Sequence, residues 1–191
     1  MRLRKIKKYC GKQGVIKPFR RNSLEPVEWQ YYFDLCMARR PKVVLEIGCY
    51  IYASTCAFLC AMEFLPEMIL YCVDPLQNRG RDHLHSFWPR NKKVGSRFFR
   101  IQACSQDWLT WTKEKFDICL IDGSHKNEHV KADFKLCKQH VNPGGTLLLH
   151  DWNSAGLRAA IHQIEDPSKI EWFNKHEDSH LHGVGIWNAP K

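Results

Sequence analysis

Long apolar runs are missing from this 191-residue chain; none approaches the roughly 18–20 residues that a membrane-spanning helix requires. The nine cysteines contain no CxxC pair, the nearest two being Cys56 and Cys60, and their number is odd. Neither a disulfide framework nor a zinc ribbon is therefore expected. Cys72 and Cys119 fall inside apolar runs, where a free thiol behaves as a small hydrophobe. A reducing, cytoplasmic compartment follows as the expectation. The fingerprint G-x-G-x-x-G is absent, which disfavours a nicotinamide dinucleotide. Acidic residues are missing too, until Glu25, while residues 1 to 21 hold Arg2, Arg4, Lys5, Lys7, Lys8, Lys12, Lys17, Arg20 and Arg21. With those nine set aside, 20 basic residues face 20 acidic ones, so the formal charge of +9 belongs to an arm over residues 1–24. A charged N-terminus without an apolar stretch behind it does not read as a signal peptide.

What is present describes one folded domain over residues 25–191. Hydrophobic residues make up 44% and aromatic ones 12%, enough for a core and too many for a disordered chain. Trp29, Tyr32, Phe33, Cys36 and Met37 recur at helical spacing across residues 25 to 40, with Pro26 suited to the first turn. Apolar runs at Val43–Ile47, Ile69–Val73, Phe98–Ala103, Phe116–Ile121 and Thr146–Leu149 read as buried strands. Helical stretches alternate with them at Ser54–Leu65, around Trp108 and Trp111, at Glu128–His140 and at Leu157–Ile164. Asn142-Pro143-Gly144-Gly145 reads as a turn. Two shorter strands, Ile170–Phe173 and Val184–Trp187, end the chain. The alternation implies a doubly wound, mainly parallel, seven-stranded Rossmann-like α/β sheet with helices on both faces. Residues 76 to 97 carry no readable pattern.

Ligands of open α/β sheets bind beyond the carboxyl ends of the strands. Five successive strand ends carry polar residues here: Glu46 and Gly48, Asp74, Ser105, Asp122 with His125, and His150 with Asp151. Gly48 opens a turn that allows a ligand close to the backbone. Asp74, 26 positions further on, stands where a carboxylate accepts hydrogen bonds from two ribose hydroxyls. Without the pyrophosphate fingerprint, a phosphate-free adenosine cofactor fits this pattern best. Each residue also has a plainer reading: Asp122 or Ser105 as a helix cap, His125 as a partner for a neighbouring loop.

Five segments together carry a family resemblance: Val43-Val44-Leu45-Glu46-Ile47-Gly48, Tyr71-Cys72-Val73-Asp74, Leu120-Ile121-Asp122-Gly123-Ser124-His125, Lys131-Ala132-Asp133-Phe134 and Pro143-Gly144-Gly145 through Trp152. This set resembles the class I S-adenosylmethionine-dependent methyltransferases, and within them the sugar and small-molecule O-methyltransferases of the macrocin and mycinamicin type. The resemblance implies S-adenosylmethionine held by Glu46, Gly48, Tyr50, Ser54, Asp74, Ser105 and Asp122. It implies catalysis by His125 as general base with Asp122, and Mg²⁺ bound by Asp122, His150 and Asp151. The acceptor it implies is a small-molecule or glycan hydroxyl. His150 stands where some relatives have an acid, and Tyr52 where the family has a second glycine.

Tyr52 keeps a second reading open, a methyltransferase-like scaffold without activity. The basic arm keeps open a third, a nucleic-acid methyltransferase or binder, and a homo-oligomer stays open as well. Trp88, Trp108, Trp111 and Trp152 are expected in the core or the pocket wall, with Trp152 the candidate to touch substrate. The cluster His176, His180 and His182 could suggest transition-metal binding, but in a polar loop between weak strands the three are expected to be solvated.

Overall fold

The computed structural model describes residues 24, 26–50, 52–75, 92–175 and 182–191. Residues 1–23 of the arm, most of the 76–97 stretch with Trp88, and His176 and His180 lie outside the described residues.

Each apolar run becomes a strand because one residue in two faces each side of the sheet. In β1 (Val43–Ile47), Val44 faces one layer of helices while Leu45 and Ile47 face the other. β2 (Ile69–Val73) pairs with β1, β3 (Phe98–Ile101) with β2, β4 (Phe116–Ile121) with the other side of β1, and β5 (Val141–His150) with β4, all in parallel. β7 (Val184–Asn188) is inserted antiparallel between β5 and β6 (Ile170–Phe173), which gives the order β3-β2-β1-β4-β5-β7-β6. The strand order reverses direction between β1 and β4, so a crevice opens there at the carboxyl ends.

Helices cover both faces. On one, α1 (Pro26–Arg39) and α2 (Ala53–Met62) pack on Val44, Leu70, Cys72, Ile118, Leu120 and Leu148. The single turn α3 (Lys92–Gly95) adds Val94 to that layer. On the other face, α4 (Ser105–Trp111), α5 (Asn127–His140) and α6 (Ala155–His162) cover Leu45, Ile47, Cys119, Ile121, Leu147 and Leu149. All ten residues of α2 are buried; its Ala, Ser, Thr and Cys side chains are small enough to lie between sheet and α1. No helix of the described residues is long and apolar enough to cross a membrane.

Most boundaries fall within three residues of the sequence reading. β5 departs further: it begins at Val141, and the expected turn at 142–145 is taken up as an irregularity of the β4–β5 ladder between Phe116↔Val141 and Ile118↔Thr146. Gly144 supplies the left-handed backbone that this detour needs, at φ +73°. Trp108 is buried as expected, but Trp111 is 69% exposed, since it projects from the last turn of a short helix whose inward face is spent on Trp108 and Leu109.

Tyr52 occupies the turn between β1 and α2 at φ 61°, ψ 29°, the left-handed conformation a glycine there would adopt freely. Its ring leaves the crevice and enters the core on the α2 face, where it is 1% exposed. Two effects therefore oppose each other in Tyr52→Gly. Relief of left-handed strain returns about 1–2 kcal/mol, whereas truncation of a buried aromatic costs about 3–5 kcal/mol. The variant is expected to be less stable by about 1–4 kcal/mol in urea denaturation; a stabilised variant would show that the ring contributes no packing.

Candidate active site

The residues expected at the strand ends mostly converge on one cleft of about 720 Å³. Gly48, Tyr50, Ser54, Asp74, Ser105, Asp122, His125, His150 and Asp151 all line it, together with Gln106, His129, Asp133 and His182. Glu46 does not. Its carboxylate faces α2, fully buried, and accepts hydrogen bonds from Ser54 Oγ, from Thr55 Oγ1 at 2.5 Å and from Cys72 Sγ at 3.0 Å. The period-two geometry of β1 turns the Glu46 side chain away from the cleft, and it fixes the start of α2. Burial pushes its carboxyl up to about 7 against the three hydrogen bonds.

Gly48, at φ +81°, has a different close neighbour from the one expected. A Cβ there would lie 2.2 Å from the carbonyl oxygen of Asp122, so the missing side chain lets the β1 and β4 loops touch. Asp74 organises the loop above: its Oδ2 accepts from the backbone N–H groups of Cys49 (2.9 Å) and Tyr50 (3.1 Å). Tyr50 itself is 74% exposed at the cleft rim, with φ 37°. Ser105 lines the far wall, where its hydroxyl donates to Asp133 Oδ1 at 2.6 Å and Gln106 Nε2 donates to the same oxygen at 3.0 Å. The helix cap is Cys104, not Ser105.

The other wall is a network of histidines and carboxylates. Asp122 is no cap either, since the residue at the N-cap position of α5 is Lys126; Asp122 Oδ1 lies 3.0 Å from His150 Nδ1. His125 Nε2 pairs with Asp151 Oδ2 at 2.9 Å, and Asp151 Oδ1 pairs with His182 Nδ1. His150 Nδ1 also lies 3.4 Å from Asp151 Oδ2, and its Nε2 lies 3.4 Å from Glu28 Oε2. Burial opposes charge on Asp151, yet hydrogen bonds from His125, His150 and His182 hold its carboxyl well below the usual range. Burial also opposes charge on His150, but Asp122, Asp151 and Glu28 together raise it. Asp151 raises His125 and His182 likewise.

Two members of this network escaped the sequence reading. Glu28, completely buried in the first turn of α1, also accepts the Gly183 N–H at 2.7 Å. The available signal was a charge four residues before Tyr32 on an otherwise apolar helical face. His182, expected in solvent, lies beside Asp151 because β7 is antiparallel to β5 and pairs Val184 with His150. Trp152 moves the opposite way. It is 2% exposed and packs so closely on Gly185 that a Cβ there would lie 2.5 Å from the indole, which removes it as a substrate contact.

Among the described residues three groups have donor atoms within 4.8 Å of one another: Glu46 with Cys49 and Cys72 beneath the cleft, and, in this wall, Asp122 with His125 and Asp151, and Asp151 with His150 and His182. Mg²⁺ prefers an oxygen shell in near-octahedral geometry. A set with three imidazoles among five donors fits that ion poorly.

Against known proteins, the family described as Methyltransferase domain matches residues 45–152, more than half of the chain, and the chain belongs to that family. A stretch of 36 residues is 50% identical to the demethylmacrocin O-methyltransferase of Streptomyces fradiae; it spans 19% of this chain and 9% of that protein. The fold recurs in the SAH-bound methyltransferase PaMTH1 of Podospora anserina, with a TM-score of 0.71 and 14% identity over 97% of this chain and 87% of that one. It recurs in a Bacillus cereus O-methyltransferase in complex with SAH, at TM-score 0.67 and 13% identity over 99% and 90% of the two chains. The O-methyltransferase TomG of Streptomyces achromogenes, in complex with SAM, gives 0.65 and 12% over 99% and 89%.

The buried Glu46 carboxyl generates a pH dependence. A carboxyl raised on folding binds its proton more tightly in the folded chain, so it withdraws stability as pH climbs from about 4.5 to about 7. Glu46→Gln removes that contribution. Urea midpoints measured from pH 4.5 to 8 are expected to fall less steeply in the variant, with a difference on the order of 3 kcal/mol across the window. Parallel curves would show that Glu46 ionises as freely as an exposed carboxyl.

Proposed function

We propose that this chain is an S-adenosylmethionine-dependent methyltransferase that alkylates a hydroxyl of a small molecule or glycan. The observation that carries the reading is one cleft holding Asp74 on one side of the crevice and the His125–Asp151 pair on the other. Family membership, and the SAH and SAM named with the structures of like fold, support the cofactor. Asp74 sits at the end of β2, where a carboxylate accepts from ribose hydroxyls; Ser105 and Gln106 line the wall beside it.

Methyl transfer requires an acceptor oxygen in line with the sulfur–methyl bond. The oxygen lone pair forms the new C–O bond while the S–C pair returns to sulfur and neutralises the sulfonium. The hydroxyl proton must leave. His125 lies on the rim with its side chain 65% exposed, so an acceptor can reach it, and Asp151 engages Nε2. Nδ1 therefore takes the proton, and Asp151 stabilises the imidazolium that forms. Asp122 anchors His150 behind the pair, its Oδ1 3.0 Å from His150 Nδ1.

The scaffold reading rested on Tyr52, whose ring lies in the core rather than in the cleft. Nothing in the described residues adds to the nucleic-acid reading. All eight described cysteines are free thiols, which supports a reducing, cytoplasmic setting.

Titration calorimetry with S-adenosylmethionine tests the reading directly; absence of heat at millimolar cofactor would overturn it. Asp74→Asn is expected to weaken cofactor binding by roughly 10–100-fold, the worth of charge-assisted hydrogen bonds. His125→Ala is expected to keep cofactor affinity within about twofold while turnover on a panel of sugar and phenolic hydroxyls drops by about 10²–10⁴. Simultaneous loss of both would make His125 a structural residue.

A further inference from the structure

Around His150 the donor atoms pose an electrostatic problem. Its Nδ1 lies 3.0 Å from Asp122 Oδ1 and 3.4 Å from Asp151 Oδ2, and its Nε2 faces Glu28 at 3.4 Å. A neutral ring that donates Nε2–H to Glu28 aims an Nδ1 lone pair at two carboxylates, which is repulsive unless positive charge lies between them. His182 repeats the arrangement, with Nδ1 on Asp151 Oδ1. Two protonated rings would supply the charge. They would then lie face to face, since the His150 and His182 centroids are 4.9 Å apart with planes at 23°. A single dication supplies the same charge without that repulsion.

The donor atoms of His150, Asp151 and His182 all lie within 4.8 Å of one another, near enough to converge on one ion. The surroundings fit as well. Glu28 is completely buried behind His150, the carboxylate–histidine arrangement that fixes which ring nitrogen faces a metal. His182 comes from the loop before β7, beyond the residues that match the family.

We infer that His150, Asp151 and His182, with Asp122 adjacent, form a site for a nitrogen-preferring first-row transition-metal dication such as Zn²⁺ or Co²⁺, not Mg²⁺. Imidazole ligands select these ions, whereas Mg²⁺ keeps oxygen and water. Glu28 is a positioning residue for this site. His125 is not needed in this ligand set; its exposed ring pairs with Asp151 Oδ2 at 2.9 Å and keeps its role on the acceptor. The inference deepens the proposed function at the same cleft and rests on that reading for the purpose of the ion, but its test needs neither cofactor nor acceptor.

The full chain, stripped with chelator and kept reduced, is titrated with ZnCl₂, CoCl₂ and MgCl₂ by calorimetry, with visible spectra recorded for Co²⁺. The expected result is one Zn²⁺ or Co²⁺ per chain, bound at least roughly 100-fold more tightly than Mg²⁺. Weak d–d bands without an intense near-ultraviolet thiolate band would separate this site from the cysteines. His182→Ala is expected to weaken Zn²⁺ and Co²⁺ at least tenfold, and Glu28→Gln by about 10–100-fold. Should Glu28→Gln fail to fold, His182→Ala carries the test on its own. Mg²⁺ affinity equal to that of Zn²⁺, a thiolate-type Co²⁺ spectrum, or Zn²⁺ binding indifferent to His182→Ala would each overturn the inference. Calorimetry with S-adenosylmethionine on the same samples reports separately on the methyltransferase reading.

Discussion

Two backbones touch at the top of this sheet, and the site depends on that contact. Gly48 leaves β1 at φ +81°, and its α-carbon lies so near the Asp122 carbonyl that no β-carbon fits between. The Asp122 N–H donates to Ile47 O at 2.8 Å, and the Gly48 N–H to Val73 O at 2.9 Å, so the ends of β2, β1 and β4 are locked side by side. Asp74 is thereby placed on one side of the crevice and Asp122 on the other. Any side chain at Gly48 would part the loops and separate the two halves of the cleft.

Beneath that contact the buried carboxyl of Glu46 ties β1 to the first turn of α2 through Ser54 and Thr55. This is a costly way to fix a helix, since burial disfavours the charged form and raises the carboxyl to about 7. It does leave Cys49 and Tyr50 between two acids, Glu46 below and Asp74 above. Tyr52 can then accept a left-handed backbone, because the loop is determined from both sides and the ring gains a place in the core.

The fold was legible because its signals are local. Apolar runs of four to six residues, four of the five followed directly by an acid, a glycine or a histidine, mark parallel strands and align their polar ends. The cleft residues at those ends followed from topology alone. Side-chain direction was less legible. Glu46 and Gly48 stand two positions apart at one strand end, yet the first faces a helix and only the second borders the cleft. Trp152 follows two site residues and still turns into the opposite layer. Glu28 and His182 reach the site over long sequence separations, Glu28 through the docking of α1 and His182 through the reversed β7. No spacing rule connects residues 28, 150 and 182; the docking of α1 and the antiparallel insertion of β7 bring them together.

That insertion has a consequence for how the molecule is divided in thought. The stretch shared with the family runs from residue 45 to 152 and contains every strand-end motif. Yet the histidine at 150 leans on a helix that precedes this stretch, and the acid at 151 is gripped by a loop that follows it. The shared histidine–carboxylate wall is therefore closed by flanking chain, one segment from each side. Relatives that keep the shared motifs but differ in those flanks would inherit the same cleft with a different electrostatic floor.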